Sequence, residues 1–130
     1  GITRGHHDIS HHGGQQANLD MLQTIGTYEV TLLNNLLTKM KMTMDGDADL
    51  LFNSTVYFSS EISDGDAHNH DDLPVLIAGH GGGIWNTGQH YKLPTTTKVS
   101  DVLTTTLRTL GITDAKLGDS DGPEMAILKA

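Results

Sequence analysis

Apolar residues recur at helical spacing in the first third of the chain. Leu22, Ile25, Leu32, Leu33, Leu36 and Met40 are separated by Asn, Thr and Lys. A period near 3.6 predicts an amphipathic helix over about 18–42, with Asn18 as its N-cap. Gly26 weakens that helix without breaking it, and the turn cluster "MDGDAD" ends it. The pattern then changes. "LLFNSTVYFSS" carries Val56, Tyr57 and Phe58 in a β-branched and aromatic run, which predicts a buried strand. "LPVLIAG" predicts a second short strand, bounded by Pro74 and Gly79. In "KVSDVLTTTLRTLG", Val99, Val102, Leu103, Thr106 and Leu110 fall on one side of a helix that Ser100 caps and Gly111 closes.

The stretches between are polar. Residues 1–17 read as loop, "EISDGDAHNHDD" as a long polar loop, and "HGGGIWNTGQHYKLPTTT" as irregular with a short strand near Trp85. The tail "DSDGPEMAILKA" reads as a turn followed by a short apolar end. Strands alternating with helices predict an α/β layered architecture with a mainly parallel sheet. With only two or three strands in view, the 130 residues read as a single domain or a portion of a larger α/β domain. Leu73, Val75, Leu76 and Ile77 run without alternation, as in a strand covered on both faces. The helix over 18–42 has apolar residues on more than one side, Met21, Val30, Leu37 and Met42 among them. Uncovered apolar surface is therefore expected, to be covered by another chain or by a further part of the same protein.

Charge removes some partners. Eight Lys+Arg against 16 Asp+Glu give a net charge of −8. That argues against a nucleic-acid backbone or an anionic membrane as main partner. It suits acidic loops that hold cations. There is no cysteine, so disulfides and thiolate metal sites are out. No apolar run approaches the length of a membrane span, so membrane insertion is not expected. The start at Gly1, with no signal peptide, is expected to reflect a processed, cut or partial chain.

The chemistry concentrates in two clusters. Residues 6–12 read "HHDISHH", which places four of the eight histidines beside Asp8. His7 and His11 are four apart, as are Asp8 and His12, so each pair shares a face if the segment is helical. Imidazole and carboxylate are the usual nitrogen and oxygen ligands of zinc and similar ions. A tag remnant would be an unbroken run of His, and Asp-Ile-Ser interrupts this one. The second cluster, "SSEISDGDAHNHDDLP", follows the first predicted strand, where open α/β sheets place their sites. It offers Glu61, Asp64, Asp66, His68 and His70, and reads equally well as an acidic surface loop of good turn formers. "DGDAD" at 45–49 begins like a calcium loop, but Leu50 stands at position six and Val56 at position twelve, which rules out an EF-hand. "GHGGG" at 79–83 lacks the Lys-Ser/Thr of a P-loop and reads as a tight turn. No G-x-S-x-G elbow is present. Trp85 and His90 either line a pocket or simply pack.

His7-x-x-Ser10-His11-His12 resembles the H-x-x-S-H-H motif that names a family of exported bacterial proteins of unknown function. The order of the remaining blocks is similar too: a long helix, "DGDADLLFNSTVYFSSEISDGDAHNHDDLPVLIAGHGGG", a "TTTKVSDVLTTTLRTLGI" helix and a "LGDSDGPE" end. The likeness covers nearly all of the chain. Members are several times longer, usually begin with a twin-arginine export signal, and carry this region at the C-terminus. The resemblance implies a C-terminal part and a periplasmic or extracellular location. It also implies a distant similarity to the alkaline phosphatase and sulfatase superfamily, in whose outline Glu61 and His70 match the late metal ligands and His12 an earlier one. The superfamily's nucleophile and first metal-binding Asp fall outside these 130 residues.

Two functions are therefore expected as alternatives. One is a metal-dependent phosphate or sulfate ester hydrolase, with His7, His11, His12, Glu61, His68 and His70 as ligands or donors to the ester and a divalent ion, zinc-like or calcium, as cofactor. The other is a non-catalytic extracellular or periplasmic structural or assembly protein with the same fold.

Overall fold

A computed structural model describes residues 1–128. The element order is helix α1 (His6–Ser10), helix α2 (Gln16–Met42), strands β1 (Met44–Asp45) and β2 (Ala48–Asp49), the short helix α3 (Leu50–Asn53), strands β3 (Val56–Ser59) and β4 (Val75–Ala78), and helix α4 (Val99–Thr109). Single 3-10 turns lie at Gly81–Gly83 and Met125–Ile127. The chain is mixed α and β, with two small two-stranded sheets, β1-β2 and β3-β4.

Both sheets are antiparallel, where the alternation of elements predicts a mainly parallel one. In the second, the end of β3 meets the start of β4, since the Ser59 hydroxyl donates to the Pro74 carbonyl at 2.8 Å. The approach to β3 meets the exit from β4 through Gly81 N–H and the Ser54 carbonyl at 3.0 Å. The polar 15-residue connection carries no helix to cross over the sheet, and it returns the chain as the loop of an antiparallel pair.

The chain divides into two compact units: Gly1–Lys39 with Ser59–Val75, and Met40–Phe58 with Leu76–Ala130. In the first, α2 is the longest element. Of its 27 residues only Asn18 and Leu33 are buried. Tyr28 is 63% exposed, and Val30, Leu32 and Leu36 are also open. Along another strip of the helix the hydroxyls of Thr24, Thr27 and Thr31 donate to the carbonyls four residues earlier, Asp20, Gln23 and Thr27, at 2.7–2.9 Å.

The second unit holds a small apolar core of Trp85, Val102 and Ile127, flanked by Tyr57, Ile77, Tyr91, Leu93 and Leu128. Trp85 is 2% exposed, and its indole N–H donates to the Thr55 hydroxyl at 2.7 Å, so its polar edge is satisfied. The expected short strand near Trp85 is a single bridge to Leu128. Gly81 packs against the same ring: a Cβ there would lie 2.9 Å from its Cδ1. α4 is not capped by Ser100. The Lys98 N–H donates to the Asp101 carboxylate at 2.9 Å, and Ser100 donates to Asp119. Asp101 is buried, and it also accepts from the Ser120 hydroxyl at 2.8 Å and the Asp121 N–H at 2.7 Å. These bonds, led by that from Lys98 N–H, hold its carboxyl below its ordinary value. Thr104 and Thr105, both fully buried, accept from the N–H groups of Leu117 and Glu124. One face of α4 thus pins residues 117–124. No described helix is long and apolar enough to cross a membrane.

Candidate functional site

The two histidine clusters both belong to the first unit, and they meet. Residues 6–10 form α1 where the sequence predicts loop. Helical geometry stacks positions four apart on one face, and the rings of His7 and His11, just past the last turn, lie edge to face with centroids 4.8 Å apart. The His11 ring makes the same contact with His68, also at 4.8 Å, across more than fifty residues of sequence. His68 reaches this place from a left-handed backbone with φ near 52°, a conformation that histidine adopts more readily than most side chains.

Three contacts fasten the clusters beside these rings. His12 Nε2 lies 3.4 Å from Asp64 Oδ1. The Gly13 N–H donates to Asp66 Oδ1 at 3.3 Å. Gly65 packs directly on Ser10, and a Cβ at residue 65 would lie 2.6 Å from the Ser10 Cβ. The loop is itself ordered by an Asx turn: the Asp64 carboxylate accepts from the N–H groups of Asp66 and Ala67 at 2.8 and 3.2 Å. Those two bonds hold the Asp64 carboxyl below its ordinary value, with His12 adding a smaller pull. Ser63 closes the loop by donating to the Asn69 side chain and to its carbonyl.

The start of the chain is anchored from α2. Asn18 is not an N-cap but a buried side chain inside the helix. Its Oδ1 accepts from the Arg4 guanidinium at 2.7 Å, and its Nδ2 donates to the His12 carbonyl. Arg4 also donates to the Asp8 carbonyl. Neither Arg4 nor a buried Asn18 is visible in the motif spacing. An Asn at the head of a helical run reads as a cap, and only tertiary contact turns it inward.

The sequence expects six metal ligands, and the structure divides them. His7, His11 and His68 share one cluster and are exposed, with ring nitrogens that bond to no described residue. His12 is engaged at both nitrogens, since its Nδ1 accepts from the Gly14 N–H at 3.0 Å. Glu61 and His70 are exposed and stand apart, making no hydrogen bond, ion pair or ring contact among the described residues. Among the described residues no three His, Asp or Glu side chains are gathered so as to hold a metal ion. The rings present edges to one another instead of nitrogens to a common centre, so the donor set is not closed.

The other candidate motifs are occupied by the protein. In "DGDAD", Asp49 pairs with Lys41 at 2.7 Å and caps α3 through the Phe52 N–H, and Asp45 accepts from Asn53. In "GHGGG", the N–H groups of His80, Gly81 and Gly83 go to backbone carbonyls, as in a tight turn.

No family model matches the chain, and no curated protein or solved structure matches it either. The resemblance to the H-x-x-S-H-H family therefore stands on its motifs alone.

Proposed function

We propose that the chain is the ligand-binding part of an exported protein, periplasmic or extracellular, of the phosphatase and sulfatase type, with an alkaline-phosphatase-like layered fold as its wider setting. Its ligand is a divalent ion, zinc-like in character, taken by His7, His11 and His68. The observation that carries this reading is the meeting of three exposed imidazoles, drawn from two distant segments, with unbonded nitrogens in a chain of net charge −8. Neutral imidazole is a borderline ligand suited to zinc, whereas calcium requires oxygens. Binding requires the rings to turn from their edge-to-face packing, a rotation about exposed side-chain bonds. The role proposed for this chain is binding of the ion, since among the described residues no three His, Asp or Glu side chains are already gathered to hold one for catalysis.

Titration with zinc and with calcium, followed by calorimetry and by the ring-proton resonances of the histidines, tests this. Zinc is expected to bind and to move His7, His11 and His68 together. Absence of zinc binding up to millimolar concentration, or ring-proton shifts confined to His70, overturns it. Generic phosphate and sulfate esters, offered with zinc present, are expected to remain uncleaved.

A second reading has its own observation. The apolar side chains of α2 at Tyr28, Val30, Leu32 and Leu36 are uncovered, as a non-catalytic assembly protein would leave them for another chain or a further part of its own. Sedimentation of the purified chain across concentration tests it: a monomer throughout removes self-assembly.

A further inference from the structure

We infer that His12, which the family resemblance casts as a metal ligand, is instead a positioning residue that sets the approach of His68 to His11. Nδ1 accepts the Gly14 N–H at 3.0 Å, so in the neutral ring the proton sits on Nε2. That nitrogen faces Asp64 Oδ1 at 3.4 Å. Neither nitrogen has a lone pair to give an ion while these contacts stand. The side chain is also less open than its neighbours, at 19% exposed. Its partner is no accident of the surface. Asp64 is oriented by the N–H groups of Asp66 and Ala67, and four residues on, the same loop delivers His68 to His11. The Gly13 bond to Asp66 and the contact of Gly65 with Ser10 lie on the same seam. His12 therefore joins the two segments, and His11 and His68 face each other as a result. This is the role of an outer residue that orients ligands without touching the ion.

The inference uses the metal reading for only one of its two tests. The first is made on the metal-free chain by nuclear Overhauser contact between the His11 and His68 rings. His12→Gln keeps a donor directed at Asp64, and the contact is expected to persist. In His12→Ala and in Asp64→Ala it is expected to vanish while the dispersion of the amide spectrum is retained. Persistence of the ring contact in both alanine variants overturns the inference whatever the chain binds. The second test is zinc affinity. An outer-residue role predicts a loss of about 10–100-fold in Asp64→Ala and His12→Ala and a loss of less than about threefold in His12→Gln. A ligand role predicts that His12→Gln is as damaging as His11→Ala, and that result also overturns the inference. If wild type binds no zinc, the metal reading falls and the ring-contact test still decides the role of His12.

Discussion

The two polar clusters of the molecule are built on opposite terms. Around Asp101 every polar atom has a partner: a buried carboxylate accepts three bonds, two buried threonines accept one N–H each, and no described buried side-chain polar atom is left without a partner. Around His11 the rings meet edge to face at the surface, with nitrogens that bond to no described residue. A satisfied, buried network has no valence left for a ligand and accounts for fold alone. An exposed cluster held in place by neighbours, here His12, Asp64, Asp66 and Arg4, contributes little to stability and remains available for chemistry. The contrast separates residues that the fold needs from residues that the fold presents.

That contrast can be broken most directly at Asp101. Asp101→Ala leaves the Lys98 and Asp121 N–H groups without their acceptor, while the Ser120 hydroxyl keeps the Gly122 carbonyl, and is expected to cost about 3 kcal/mol in urea unfolding. A loss below about 1 kcal/mol would mean that the network is not structural. Gly65→Val comes next. Its side chain must displace Ser10, and the strain of such overpacking is about 1–3 kcal/mol. The loss should come with separation of the His11 and His68 rings in spectra of the folded chain.

Acid sharpens the comparison. Asp101 and Asp64 both have carboxyls held below the ordinary 3.8. A depressed folded-state value gives stability that is complete above the unfolded value and drains away as pH falls through the folded one. The urea midpoint is therefore expected to fall below about pH 4, and Asp101→Asn should flatten that fall more than Asp64→Asn, because Asp101 is buried. Equal flattening would erase the distinction between the clusters. The smallest expected effect is at His7. His7→Ala removes an exposed ring and should change stability by no more than about 0.5 kcal/mol. A larger loss would move the histidines to the structural side.

Sequence pattern reveals the parts of this fold that depend on local periodicity. α2 begins two residues before its expected start and ends where expected, β3 and β4 fall inside the expected strands, and α4 occupies most of its expected span. What it misses depends on contact. "LLF" at 50–52 is apolar enough for a strand, but Asp49 caps it into a helical turn. The hairpin direction of β3 and β4 is set by Ser59 with Pro74 and by Ser54 with Gly81, pairs that no periodicity encodes. In the site, the density of histidine points to both segments. Within the second segment, however, the contacts fall to Asp64, Asp66 and His68, and Glu61 and His70 are left out. The Asx turn at Asp64 decides which of the loop's side chains face α1, and spacing along the chain carries no sign of it.

The threonines of α2 have one further consequence. Each of Thr24, Thr27 and Thr31 turns its hydroxyl proton inward to a helix carbonyl. The oxygen can still receive a hydrogen bond from outside, but it has no proton left to offer. Read by composition this strip is polar; read by direction its oxygens accept hydrogen bonds from water while its own hydroxyl protons are engaged within the helix. A neighbour that comes as a donor finds three hydroxyl oxygens in line there, so the strip favours donors over acceptors without carrying a charge.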